Sequence, residues 1–97
     1  MTDFRVIHSE DRIWFLLEKD GNLYLRSQYE MLGVGFMIFM KLEQNEADGY
    51  EKQGTNYIES LVREINRSPD SFRWRDLGEN SHMRATLALK SHFGDST

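Results

Sequence analysis

Through the first 42 residues apolar side chains recur at alternate positions; beyond that they recur at steps of three and four. The first spacing predicts strands and the second a helix. Phe4–His8 reads as a first strand, Ser9-Glu10-Asp11 as a turn, Arg12–Glu18 as a second strand and Asn22–Tyr29 as a third. After a turn near Met31–Gly33, the run from Gly33 to Leu42 reads as a fourth. Val34, Phe36, Ile38, Met40 and Leu42 would point one way, and Gly35, Met37, Phe39 and Lys41 the other. A strand apolar on both sides needs cover on both faces, and a chain of 97 residues has little material to supply it.

Lys19-Asp20-Gly21 offers the hairpin loop between the second and third strands. A three-residue loop with Gly21 in the left-handed last position sets Leu17 opposite Leu23, Phe15 opposite Leu25 and Ile13 opposite Ser27. One face then carries Ile13, Phe15, Leu17, Leu23 and Leu25; the other carries Trp14 beside Arg26 and Leu16 beside Tyr24. A two-residue Asp20-Gly21 loop would place Phe15 opposite Arg26 and mix the faces. The three-residue loop is therefore expected.

Ala47, Tyr50, Gly54, Tyr57, Ile58, Leu61, Val62 and Ile65 form one helical stripe. Asn45 with Asp48 resembles an N-cap with its acidic partner, and Pro69 enforces a stop. One helix from about 46 to 67 is predicted, with Gly54 letting it approach the sheet closely. The rival is a loop up to Gly54 and a shorter helix capped by Thr55 or Asn56. In the tail, Phe72 and Trp74 alternate with Arg73 and Arg75 as in an edge strand, with Phe72 and Trp74 anchored in the core and the arginines paired to Asp70, Asp76 or Glu79. Residues 82–92 alternate like a strand but are rich in helix formers, with Asn80 or Ser81 able to cap; helix is favoured. The fold class expected is α+β: a four-stranded antiparallel meander (about 4–42) packed on one long helix (about 46–67), with a C-terminal strand or helix (about 82–92), in a single domain spanning 1–97.

Charge and composition narrow the chemistry. The formal charge of −4 weighs against general binding to nucleic acid or anionic membranes. No cysteine is present, which excludes disulfides, thiolate catalysis and cysteine-based metal sites. The N-terminus lacks the pattern of a signal peptide, and the Met31–Leu42 run falls short of the ~20 apolar residues of a membrane span. A cytoplasmic protein is the expectation.

No catalytic set stands out. His8, His82 and His92 share no metal-ligand spacing. Residues 44–55 mimic a calcium loop only loosely, with Gln44 where aspartate belongs and Thr55 where glutamate does. No serine sits in a nucleophile elbow, and Gly33-Val34-Gly35 lacks the rest of a dinucleotide or phosphate loop. Neither an enzyme nor any cofactor is expected.

Two clusters remain. Trp14, Leu16, Tyr24, Arg26, Met37 and Phe39 would form an aromatic, arginine-bearing sheet face, suited to a homodimer or an unknown protein partner. Arg73, Trp74 and Arg75, with Arg63 and Arg67, are the alternative: aromatics interleaved with arginine can stack bases and hold phosphates of a single strand. The expected function is thus a small non-enzymatic interaction module, homodimeric through a sheet face, in one version an acidic inhibitor or immunity-type protein neutralising a basic partner. A third alternative is small-molecule binding in a pocket lined by Met37, Phe39 and Tyr57.

Overall fold

The computed structural model describes residues 3–10 and 13–94. Four antiparallel strands, β1 (Arg5–Glu10), β2 (Trp14–Lys19), β3 (Asn22–Met31) and β4 (Val34–Lys41), pair in chain order. Three helices follow, α1 (Gln44–Gln53), α2 (Thr55–Arg67) and α3 (Glu79–His92), with 3-10 turns at Pro69–Ser71 and Arg73–Arg75 between the last two. The α+β meander is as the sequence predicts. Asp11 and Arg12, expected in the first turn and at the start of the second strand, lie outside the described residues, and Glu10 belongs to β1.

The β2–β3 register corrects the expected loop. Lys19 faces Asn22, Leu16 faces Leu25 and Phe15 faces Arg26. The loop is the two residues Asp20 (φ 53) and Gly21 (φ 82), both left-handed, as a type I′ turn requires. That turn matches the strands' own twist, and aspartate tolerates the left-handed region better than most residues. Alternation alone favours the register that keeps the two hairpin faces distinct. In the folded chain both faces are covered, so either register buries apolar groups and the turn geometry decides.

Two cores result. Trp14, Leu16, Leu25, Ile38 and Met40 lie with Ile58, Leu61, Val62 and Ile65 of α2. On the opposite face Val6, Phe15, Leu17 and Phe39 lie with Ala85 and Leu89 of α3. The two-sided strand β4 thus finds cover on both sides, Ile38 and Met40 on one, Phe39 on the other. In β1 the pairing slips between Val6 and His8, and the extra residue Ile7 packs on the α2 side.

The single long helix is also corrected. It breaks at Gly54, whose backbone (φ 65, ψ −145) suits glycine alone. The break loses little bonding: the Gly54 N–H donates to Tyr50 C=O at 2.7 Å, and its C=O accepts from Tyr57 N–H at 3.1 Å. Gly54 does not bring the helix close to the sheet, since a Cβ added there would meet nothing within 4 Å; the tight contact is between α1 and α2, where a Cβ on Gly49 would stand 2.5 Å from the Tyr57 ring. Neither Thr55 nor Asn56 caps α2; Gly54 holds that position. Nor does Asn45 cap α1; the cap is Glu43, whose N–H donates to the Glu46 carboxylate at 2.8 Å.

Residues 79–92 form a helix across the second face, starting after Gly78 rather than Asn80 or Ser81. Arg84 ties it to Asp3 at 3.2 Å. Phe72–Arg75 is not an edge strand. Its amides are used locally, Phe72 N–H on Pro69 C=O and Arg75 N–H on Phe72 C=O, which is 3-10 bonding. Among the described residues no helix is long and apolar enough to cross a membrane.

Candidate interaction surface

The six residues expected to share one face do not. Trp14 and Leu16 belong to the α2 core, whereas Tyr24, Met37 and Phe39 belong to the α3 side. Arg26 shares that second side, between Phe15 and Phe39 in the register. Leu16 and Phe39 are fully buried within the single chain. Arg26 is half-buried, and its Nε has no hydrogen-bond partner among the described residues. Desolvation draws its pKa below the usual arginine value. The same separation of faces removes the expected pocket, because Tyr57 packs on the α2 side, away from Met37 and Phe39.

The basic cluster is engaged. Arg67 pairs with Glu64, Arg73 with Asp70 at 2.7 Å, and Arg63 hydrogen-bonds Ser60 Oγ at 3.2 Å. Arg75 pairs with Glu46 at 2.6 Å and not with Asp70, Asp76 or Glu79. Phe72 does pack against the core, but Trp74 is 76% exposed, its indole N–H bonded to Ser71 C=O. The histidines are dispersed: His8 stacks on Trp14, His82 bonds Asp76 at 2.7 Å and His92 lies against Phe93. Among the described residues no three histidine or carboxylate groups gather as a metal set. A groove of about 740 Å³ beside α1 is lined by Glu18, Lys41, Glu43, Asp48, Tyr50 and Glu51. Glu18 is paired with Arg5, and Asp48 accepts a hydrogen bond from the Gln44 amide.

The β4 edge is divided. Since Met31 and Val34 close a two-residue turn, alternate residues of β4 direct both backbone groups away from β3; these are Gly35, Met37, Phe39 and Lys41. At the C-terminal half both groups of Phe39 and the C=O of Lys41 are occupied. Phe39 N–H donates to Asp76 Oδ1 at 3.0 Å, Phe39 C=O accepts from Leu77 N–H at 2.9 Å, and Lys41 C=O accepts from Arg75 Nη2 at 2.8 Å. Asp76 is braced for this work. Partial burial pushes its pKa up, but the bonds from Phe39 N–H, His82 and Gly78 N–H prevail and hold it below the usual aspartate range. At the N-terminal half, Gly35 and Met37 have no such partner among the described residues.

Part of the exposed apolar surface lies at that same open half, while Ile13, Trp74, Leu77, Met83, Leu87 and Phe93 are exposed elsewhere. Leu32 is 97% exposed, Val34 54% and Phe36 44%, with Phe36 stacked on Tyr29 at 5.4 Å. Leu32 also has φ 54, and Gly33 φ 78, a second type I′ turn. A leucine in the left-handed region is strained by about 1 kcal/mol or more. Side-chain alternation marks the strand's two apolar sides but not this surface. The available signal was a leucine where a two-residue turn calls for Asn, Asp or Gly. No family model, no curated protein and no solved structure matches this chain.

Proposed function

We propose that the chain is a small protein-interaction module whose docking surface is the tip and open edge of the β3–β4 hairpin. Leu32 carries the reading: it is at once strained and almost wholly exposed, and both properties cost the isolated chain stability. An asparagine there would ease the turn and solvate the tip. A residue that is wrong twice for the monomer is explained by a contact made outside it. Val34, Phe36 and the backbone of Gly35 and Met37, which no described residue pairs, extend the same surface. The rest of the apolar strand β4 is consumed by the two cores, which confines docking to this end.

The test compares the wild-type chain with Leu32→Asn and Phe36→Asp, each immobilised and exposed to an extract of the cells that express it. A partner held by the wild type and lost with both variants, which fold by circular dichroism, supports the reading. Equal retention by all three overturns it.

A further inference from the structure

We infer that the occupant of the open β4 edge is a second copy of the chain, paired antiparallel about a two-fold axis at Phe36; this rests on the docking surface proposed above. The backbone limits the register. Only Gly35 and Met37 offer N–H and C=O groups that no described residue uses. A two-fold centred on Gly35 would set Met37 against Gly33, which is held in the turn at φ 78. One centred on Met37 would set Gly35 against Phe39, whose edge is closed by Asp76 and Leu77. Centred on Phe36, Gly35 of each copy meets Met37 of the other, and the N–H and C=O groups of both residues are used in two reciprocal pairs.

Side chains agree with that register. Phe36 falls opposite Phe36 beside Tyr29, and Val34 falls beside the strand position of Ile38, whose own side chain is buried under α2. On the other face Met37 falls opposite Gly35. The fold itself does not require glycine there: Gly35 has no positive φ, and an added Cβ would meet nothing within 4 Å. Opposite a methionine of the second copy, its missing side chain makes room. Charge permits the pairing as well. The chain carries −4 overall, but residues 31–38 hold no charged side chain, so two copies meet here without like-charge contact. The outer edge strand β1, by contrast, carries Arg5, His8, Glu10 and a bulge at Ile7, all of which oppose pairing.

The exposed parts of Leu32, Val34 and Phe36 come to on the order of 300–400 Å² per copy, below the ~800 Å² per partner of a standard interface, so the dimer belongs to the weaker class. The test is therefore run on the purified full chain up to hundreds of micromolar. Sedimentation equilibrium should show a reversible dimer that Phe36→Asp abolishes. Register is read by disulfide trapping, which the absence of native cysteine makes clean. Phe36→Cys places two sulfurs across a pair with Cα atoms about 4.5 Å apart. Val34→Cys places its two copies about 13 Å apart, four residues along the strand. Under diamide, Phe36→Cys should cross-link about tenfold faster than Val34→Cys, as disulfide geometry demands. Equal trapping of both overturns the register. A wild type that stays monomeric overturns the dimer, yet leaves the docking surface standing if extract capture still depends on Leu32. A dimer that survives both Leu32→Asn and Phe36→Asp overturns both readings.

Discussion

Arg75 and Glu46 form a two-pronged ion pair beneath the surface, Nη1 donating to Oε2 at 2.9 Å and Nη2 to Oε1 at 2.6 Å. The side chains are 9% and 8% exposed. The pair ties the first turn of α1 to the 3-10 turn that flanks β4, and Arg75 extends it to Lys41 C=O. Burial pushes the Glu46 carboxyl up, but the Arg75 bonds and the Glu43 N–H hold it below the usual range; the same contact raises Arg75. Removing one member of such a pair strands the other charge, at a cost of about 3–5 kcal/mol. Glu46→Ala and Arg75→Ala are each expected to lose stability on that order in urea unfolding. The double variant should lose less than the two losses added.

That assignment of Arg75 also bears on the nucleic-acid alternative. Arg73 and Arg67 have acid partners and Arg75 is sequestered, so the cluster offers few free charges to phosphate. Fluorescence anisotropy with a single-stranded oligonucleotide at low salt is expected to show no saturable binding. A salt-sensitive isotherm weakened by Arg73→Ala would reinstate the alternative.

Leu32→Asn should separate stability from docking. Asparagine tolerates the left-handed backbone of the turn, and the exposed leucine loses little burial by leaving. A gain of up to about 1 kcal/mol is expected in the unfolding free energy, together with loss of docking at the hairpin. A loss of stability would show that Leu32 serves the fold.

Gly49→Ala tests how closely α1 and α2 pack. Alanine improves helix propensity by about 1 kcal/mol. The new Cβ would nevertheless lie 2.5 Å from Tyr57, whose ring must then move. Overpacking costs about 1–3 kcal/mol, so a net loss is expected. In a Tyr57→Ala background the same substitution should stabilise. Thermal melts of the four proteins complete this cycle.

Asp76 links acidity to the closed half of the β4 edge. Its folded pKa lies below its unfolded value of about 4, so its contribution is fully present above that value and disappears as pH falls through the folded pKa. Asp76→Asn keeps an acceptor for Phe39 N–H but no longer titrates. Its urea midpoint should fall less than the wild type's as pH drops below about 4. Parallel curves for the two proteins would remove Asp76 from the acid response.

The meander, the helical stripe of Ile58, Leu61, Val62 and Ile65, and the two sides of β4 were legible because side-chain period alone specifies them. The β2–β3 register was not, because with both faces covered no solvent side exists to mark it. The backbone angles of Asp20 and Gly21 decided it. The expected interface failed for the same reason, since one residue of slip moved Trp14 and Leu16 beneath α2 while Tyr24 and Phe39 stayed beneath α3.

Residue type and spacing alone set the content of the cores, namely which residues are apolar, at what period, and that β4 needs cover twice. What supplies that cover depends on how the elements dock. Gly54 splits the predicted helix, α3 crosses the second face, and Arg75, Asp76 and Leu77 close half of the remaining edge through partners 34 to 38 residues away. Periodicity records only near neighbours along the chain. Contacts made across such separations depend on how the elements dock, and those contacts leave Leu32 to Met37 as the edge the fold does not use.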